Sequence, residues 1–340
     1  MESAAVVIVL VVIFALLFDL SNGWNDTANA IATVVSTRVL RPWQAVIFGV
    51  VLNFVGALFS SEVARTVGQD IAAHPTMTAF LAAVIIAPIW VTYCTWRGLP
   101  ISCSHSLMGG LIGAVLASAG ADALKAGGIR KIAFGVFTSP VIGFVLAYAI
   151  MLLVAWTFRR VRATTASRLF GKLQLISAGA MAFSHGTGDA QKAMGIITGA
   201  LVAGGFLALG EGDRMVIPLW VRLACAAAMA VGTAAGGWAV MRTLGSRLAH
   251  LKPYQGFCAE TAAATTILVN TLTGVPISTT HSITGAIMGV GAAKGIRTVK
   301  WGVGRKIIFA WVFTFPVCIA GGAVIFWLLK ACGLGLKPAG

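Results

Sequence analysis

Apolar runs of membrane-spanning length dominate this sequence. Six stand out, at 4–20, 45–59, 78–96, 132–156, 219–241 and 307–329, and a helical membrane crossing needs about 20 apolar residues. Only 10% of the 340 residues are charged while 58% are hydrophobic; soluble domains carry about a quarter charged residues. Lipid is therefore the solvent for most of the surface. The pattern predicts an all-α polytopic membrane protein with ten to twelve crossing or re-entrant segments. The run at 4–20 has no basic segment ahead of it and is followed directly by patterned polar sequence, so it reads as the first transmembrane segment rather than a cleaved leader.

The net charge of +15 does not signal nucleic acid, because the basic residues sit in short connections between apolar runs. The densest group, Arg159, Arg160, Arg162, Arg168 and Lys172, predicts a cytoplasmic linker over 158–170. The six cysteines form no CxxC pair; those within apolar runs read as small hydrophobes.

The chain repeats itself. Gly98-Leu-Pro-Ile-Ser-Cys-Ser-His-Ser-Leu-Met-Gly109 returns 176 residues later as Gly274-Val-Pro-Ile-Ser-Thr-Thr-His-Ser-Ile-Thr-Gly285. Gly113 and Gly289 extend the match, as do Arg130-Lys-Ile132 with Arg305-Lys-Ile307 and Val136-Phe-Thr with Val312-Phe-Thr. A weaker pair, Ser21-Asn-Gly-Trp-Asn-Asp26 and Ser184-His-Gly-Thr-Gly-Asp189, lies 163 residues apart. The expected organisation is one membrane domain of two homologous halves, 1–157 and 171–340. Repeats carrying Gly- or Pro-interrupted segments in equivalent places point to a transport site at their interface.

Of the ten acidic residues, Asp19, Asp26, Glu62, Asp189 and Glu260 fall inside or beside apolar runs. An intramembrane carboxylate faces protein or water and marks an ion pathway. Gly23 before Asp26 suggests a helix break that frees backbone carbonyls. With the carboxylate and the amide oxygens of Asn22, Asn25 and Asn29, these are the hard ligands a small cation such as Na+ prefers. Asp189 sits in the equivalent place. Alternatively, each Asp caps a following half-helix.

The two Pro-Ile-Ser-x-x-His-Ser segments read as tips of re-entrant hairpins. A half-helix starting near Ser104 or Thr280 aims free amides and hydroxyls inward, which makes an anion site without a fixed charge. His105 and His281 share one repeat position and read as supporting donors, proton carriers or plain structural residues. His185 and Asp189, one turn apart, have the spacing of a metal pair but lack an evident third ligand. Lys192 stands three residues beyond Asp189, placed either to neutralise it or to contact the anion. Cations held at carboxylates around an anion site would make anion binding conditional on the cation, which is symport.

These residues resemble the inorganic phosphate transporter (PiT) family. The resemblance rests on Gly23-Trp-Asn-Asp-Thr-Ala-Asn29, His185-Gly-Thr-Gly-Asp-Ala-Gln-Lys192 and the two hairpin motifs, and covers essentially the whole chain. It implies inverted-topology repeats, alternating access and phosphate uptake with Na+ or H+. It also implies dimers and an external N-terminus, while the short loops and the lack of a visible organelle targeting signal suggest a bacterial inner membrane. Carried over residue by residue, it assigns cation and phosphate binding to Asp26 and Asp189 and phosphate contacts to Ser102, Ser104, Ser278, Thr279 and Thr280. Cys103, in the same hairpin tip, and Lys192 are counted with the phosphate-binding residues, and Glu62 and Glu260 are given supporting roles. The sequence departs from the family pattern at Trp24, Gly188 and Cys103; Gly188 removes an amide ligand. The family includes sulfate carriers, so a sulfate symporter is the nearest rival. An intramembrane hydrolase built on His185 and Asp189, and a passive anion channel, are the rivals from other classes.

Overall fold

The computed structural model describes residues 2–334. They form helices and two isolated bridges, with no strand among them. The first half holds α1 (Glu2–Ser36), α2 (Pro42–Ala57), the short α3 (Glu62–Arg65), α4 (Met77–Trp96), α5 (Cys103–Ala119) and α6 (Ala126–Thr157). The second half repeats the order with α7 (Ala163–Ala203), α8 (Leu219–Ala235), α9 (Trp238–Arg242), α10 (Pro253–Leu272), α11 (Thr279–Lys294) and α12 (Trp301–Leu329). Both short helices continue into a widened turn, and both follow a sharp bend. The axis turns by 66° between α2 and the segment Glu62–Asp70, and by 61° between α8 and Trp238–Leu248.

Four stretches are individually long and apolar enough to span a membrane, and each bent pair adds a fifth and a sixth. That is fewer uninterrupted spans than the expected ten to twelve segments, because several helices are short or polar. α5 has 17 residues. α7, at 41 residues, is about 60 Å long at 1.5 Å per residue, but its inner stretch is lined with Ser, Thr, His, Gln, Asp and Lys. The outward faces confirm lipid as solvent: Ile47, Val51, Phe137, Val145, Phe309 and Val312 are all more than half exposed.

The helices that open the two halves, α1 and α7, run in opposite directions. The five residues 37–41 return the chain antiparallel from α1 to α2, so that Gly49 lies against Ile31. α7 runs parallel to α2: Gly179 meets Phe48 and Leu52, and Gly186 meets Asn53. α7 therefore runs opposite to α1. The halves also exchange helices. α5 packs on α12, with Gly113 against Ile319, and α6 packs on α11, with Gly289 against Phe144. The repeated glycines are thus points of close backbone approach between halves.

Two expectations need correction. No helix breaks at Gly23 or at 186–188: α1 and α7 pass through both motifs uninterrupted. A Cβ on Gly23 would collide with the Met229 carbonyl, and one on Gly186 with the Asn53 carbonyl. These glycines let neighbouring helices touch. The capping alternative falls with the breaks, since both aspartates are mid-helix. The basic linker is also shorter than 158–170. Only Phe158–Arg162 lies outside helix, and Arg168 and Lys172 belong to the first turns of α7.

Candidate functional site

Each hairpin turns at a glycine. Gly98 (φ 67°) ends α4 and Gly274 (φ 69°) ends α10, a left-handed conformation that suits glycine. Leu99 N–H then donates to the Cys94 carbonyl and Val275 N–H to that of Asn270, both at 2.9 Å. Pro100 and Pro276 follow, and α5 and α11 begin. Ser102 and Ser278 cap these helices: their hydroxyl oxygens accept from His105 N (3.2 Å) and His281 N (3.1 Å). A helix start leaves its first amides without intrahelical partners. Here those are the amides of Cys103 and Ser104 on one tip, and Thr279 and Thr280 on the other.

The tips hold each other by a reciprocal pair of bonds. Ser104 Oγ donates to the Ile277 carbonyl (3.0 Å), and its repeat counterpart Thr280 Oγ1 lies 2.9 Å from the Ile101 carbonyl. The two half-helix starts therefore face one another inside the protein.

α1 and α7 cross beside them and bring Asp26 and Asp189 together. Thr279 Oγ1 lies 3.1 Å from Asp189 Oδ2 and 3.4 Å from Asp26 Oδ2. Thr280 Oγ1 lies 3.1 Å from Asp26 Oδ1. Asn29 Nδ2 donates to Thr280 (2.9 Å) and lies 3.4 Å from the Thr279 hydroxyl. Asn25 Nδ2 donates to Thr95 (2.6 Å). The side-chain oxygens of Asn22, Asn25 and Asn29 are buried without a hydrogen-bond partner among the described residues. Lys192 Nζ bonds Asp189 Oδ1. Cys103, the counterpart of Thr279, faces Asp26 with its thiol. All of these residues are buried.

The third candidate ligand beside His185 and Asp189, which the sequence did not reveal, is Asp26. His185 Nε2 lies 3.3 Å from Asp189 Oδ2 and 3.8 Å from Asp26 Oδ2, and ligand atoms of the three residues fall within 4.8 Å of one another. His185 is oriented by Asn53, whose Oδ1 is 3.1 Å from Nδ1 and whose amide reaches Thr233. Asn53 escaped notice because it is one polar residue inside an apolar run. Asp19, a further fully buried carboxylate on α1, has no hydrogen-bond partner among the described residues beyond the Cys225 thiol.

The remaining expected residues stand apart from this centre. His105 and His281 meet edge to face, 4.5 Å between centroids, and His281 stacks on Trp311 at 3.7 Å. They form an aromatic layer behind the tips. Glu260 accepts from Ser177 (2.5 Å) and Gln174 (2.9 Å), in a network between α7 and α10. Glu62 is half exposed beside the bend after α2 and pairs with Arg65 at 3.0 Å.

Comparison with known proteins identifies the family. The profile described as Phosphate transporter family matches residues 22–322, nearly the whole described chain. The chain belongs to the phosphate transporter family. A probable low-affinity inorganic phosphate transporter of Rhizobium meliloti is 44% identical over 317 residues, 92% of this chain and 93% of that one. One of Bacillus subtilis is 39% identical over 334 residues, covering 97% and 99%. The solved structure of a sodium-dependent phosphate transporter shares the fold, with a TM-score of 0.89 at 24% identity over 96% of this chain and 99% of that one. As a member of the phosphate transporter family the protein is a multi-pass transporter and not an enzyme, which removes the hydrolase alternative.

Proposed function

We propose that the protein is a symporter that imports inorganic phosphate together with Na+ or H+ by alternating access, with both sites where the halves meet. The observation that carries this reading is the shared Thr279 hydroxyl between Asp26 and Asp189. It couples a carboxylate pair, suited to a cation, to a half-helix start, suited to an oxyanion.

On this reading phosphate lies between the tips, contacting the hydroxyls of Ser102, Ser104, Ser278, Thr279 and Thr280 and the first amides of α5 and α11. The cation sits at Asp26 with the amide oxygens of Asn22, Asn25 and Asn29. Without it, the Asp26 carboxylate repels the anion; with it, that charge is offset and binding is favoured. Phosphate is favoured over sulfate because its protonated form can donate a hydrogen bond to a carboxylate, and Asp26 and Asp189 lie within reach of the tips. The basic connection at 158–162 lies on the cytoplasmic side of a bacterial inner membrane, by the positive-inside rule.

Phosphate binding to purified protein, followed by calorimetry across a cation series, tests the linkage. Affinity should rise with Na+ or with falling pH, and Asp26→Asn should abolish that dependence. Affinity indifferent to both cations would sink the reading.

A further inference from the structure

The two halves present unequal cation half-sites. At the repeat offset that pairs Asp26 with Asp189, Asn22 corresponds to His185, Asn25 to Gly188 and Asn29 to Lys192. Every amide oxygen of the first half is therefore missing from the second. The first-half oxygens are buried and have no hydrogen-bond partner among the described residues. In the second half both oxygens of Asp189 are already engaged: Oδ1 by the Lys192 ammonium, Oδ2 by Thr279 and the His185 ring. Lys192 is the only lysine or arginine buried among the described residues. It sits three residues from its Asp, where the first half has Asn29.

We infer that the Lys192 ammonium is a tethered cation standing where a symmetric site would take a second exchangeable one. The inference rests on the symport reading above. A buried ammonium is stable only when paired, and Asp189 supplies the pair. A free cation at Asp189 would need several oxygen ligands; the positions matching Asn22, Asn25 and Asn29 offer no amide, and the neighbouring Gln191 oxygen is taken by the amides of Val63 and Ala64. The protein thus exchanges a cation at Asp26 alone, and its charge at Asp189 is neutralised permanently. Each transport cycle moves one cation fewer than a site built from two copies of the first half.

The test is the number of cations moved per phosphate, read in liposomes from the membrane potential and gradients at which net phosphate flux reverses. Lys192→Asn restores the first-half residue and should raise that number by one. Lys192→Arg keeps the charge and should leave it unchanged. If Lys192→Asn is folded but turns over too slowly, phosphate binding replaces flux. The slope of log affinity against log cation concentration should steepen by about one relative to wild type. Should Lys192→Asn not fold, Lys192→Gln carries the same readings. A neutral variant with unchanged stoichiometry and a raised KM for phosphate would overturn the inference, since Lys192 would then be an anion ligand. A folded neutral variant that binds no phosphate at any cation concentration would overturn it too. Wild-type flux indifferent to every cation gradient would instead sink the symport reading itself, and the two failures are thereby distinguished.

Discussion

Asp26 and Asp189 lie on helices that run in opposite directions, yet one hydroxyl, that of Thr279, stands within 3.4 Å of both. Two like charges converge on a shared donor at a helix start, where the backbone dipole also favours negative charge. This arrangement ties the two aspartate-bearing helices α1 and α7 to the hairpin tip of α11, so a change at one is felt at the other.

Thr279→Val removes the shared donor while keeping the shape. A hydrogen bond to a charged group contributes about 1.5–3 kcal/mol, and 1.4 kcal/mol is about tenfold. Phosphate uptake should therefore fall about ten- to hundredfold, and Thr279→Ser should restore most of it. Uptake kinetics of the two variants check this; equal loss in both would assign Thr279 a packing role.

Cys103 lies where the second half has Thr279, buried in the site and facing Asp26. In a variant whose other five cysteines are replaced by alanine or serine, alternating access predicts that a small thiol reagent modifies Cys103 during turnover. Saturating phosphate with the coupling cation should protect it. Modification at the same rate with and without substrate, read by mass spectrometry, would contradict the placement of phosphate between the tips.

The glycines of the two aspartate motifs hold helices in contact. Gly23→Ala drives a methyl into the Met229 carbonyl; overpacking of this kind costs about 1–3 kcal/mol. Thermal unfolding in detergent should reveal a clear drop in midpoint. Gly127→Ala, with nothing within 4 Å of the added carbon, should leave the midpoint unchanged.

The two supporting glutamates should separate. Glu260→Gln breaks a buried network with Ser177 and Gln174 and should cost about 1–3 kcal/mol. Glu62→Gln loses only an exposed pair with Arg65, worth about 0–1 kcal/mol. Denaturation of both variants side by side checks this; equal cost would mean that Glu62 is engaged in some other state of the transporter.

The sequence made some of these features legible and concealed others. The repeated Pro-Ile-Ser-x-x-His-Ser segments mark the hairpin tips, because Pro ends an element and Ser or Thr suits a helix start, although the helices begin at Cys103 and Thr279, one residue before the expected Ser104 and Thr280. The role of Gly23 and Gly186 was hidden. A glycine in an apolar run serves equally a break or a close approach, and only the neighbouring carbonyls of Met229 and Asn53 decide between them. Asp26 as the third partner of His185 and Asp189 was equally hidden, because that contact depends on how α1 and α7 cross. The segment count was legible: the twelve α-helices become ten segments when each bent pair is taken as one, within the expected ten to twelve.

The central claim is coupling, and gradient-driven uptake tests it most directly. Purified protein in liposomes is given labelled phosphate under an inward Na+ gradient or an inward H+ gradient, with excess sulfate in a parallel arm. Asp26→Asn and Asp189→Asn are run alongside. The account predicts uptake above the equilibrium level under one gradient, undisturbed by sulfate and lost in both variants. Phosphate flux that ignores both gradients and survives both substitutions would contradict it.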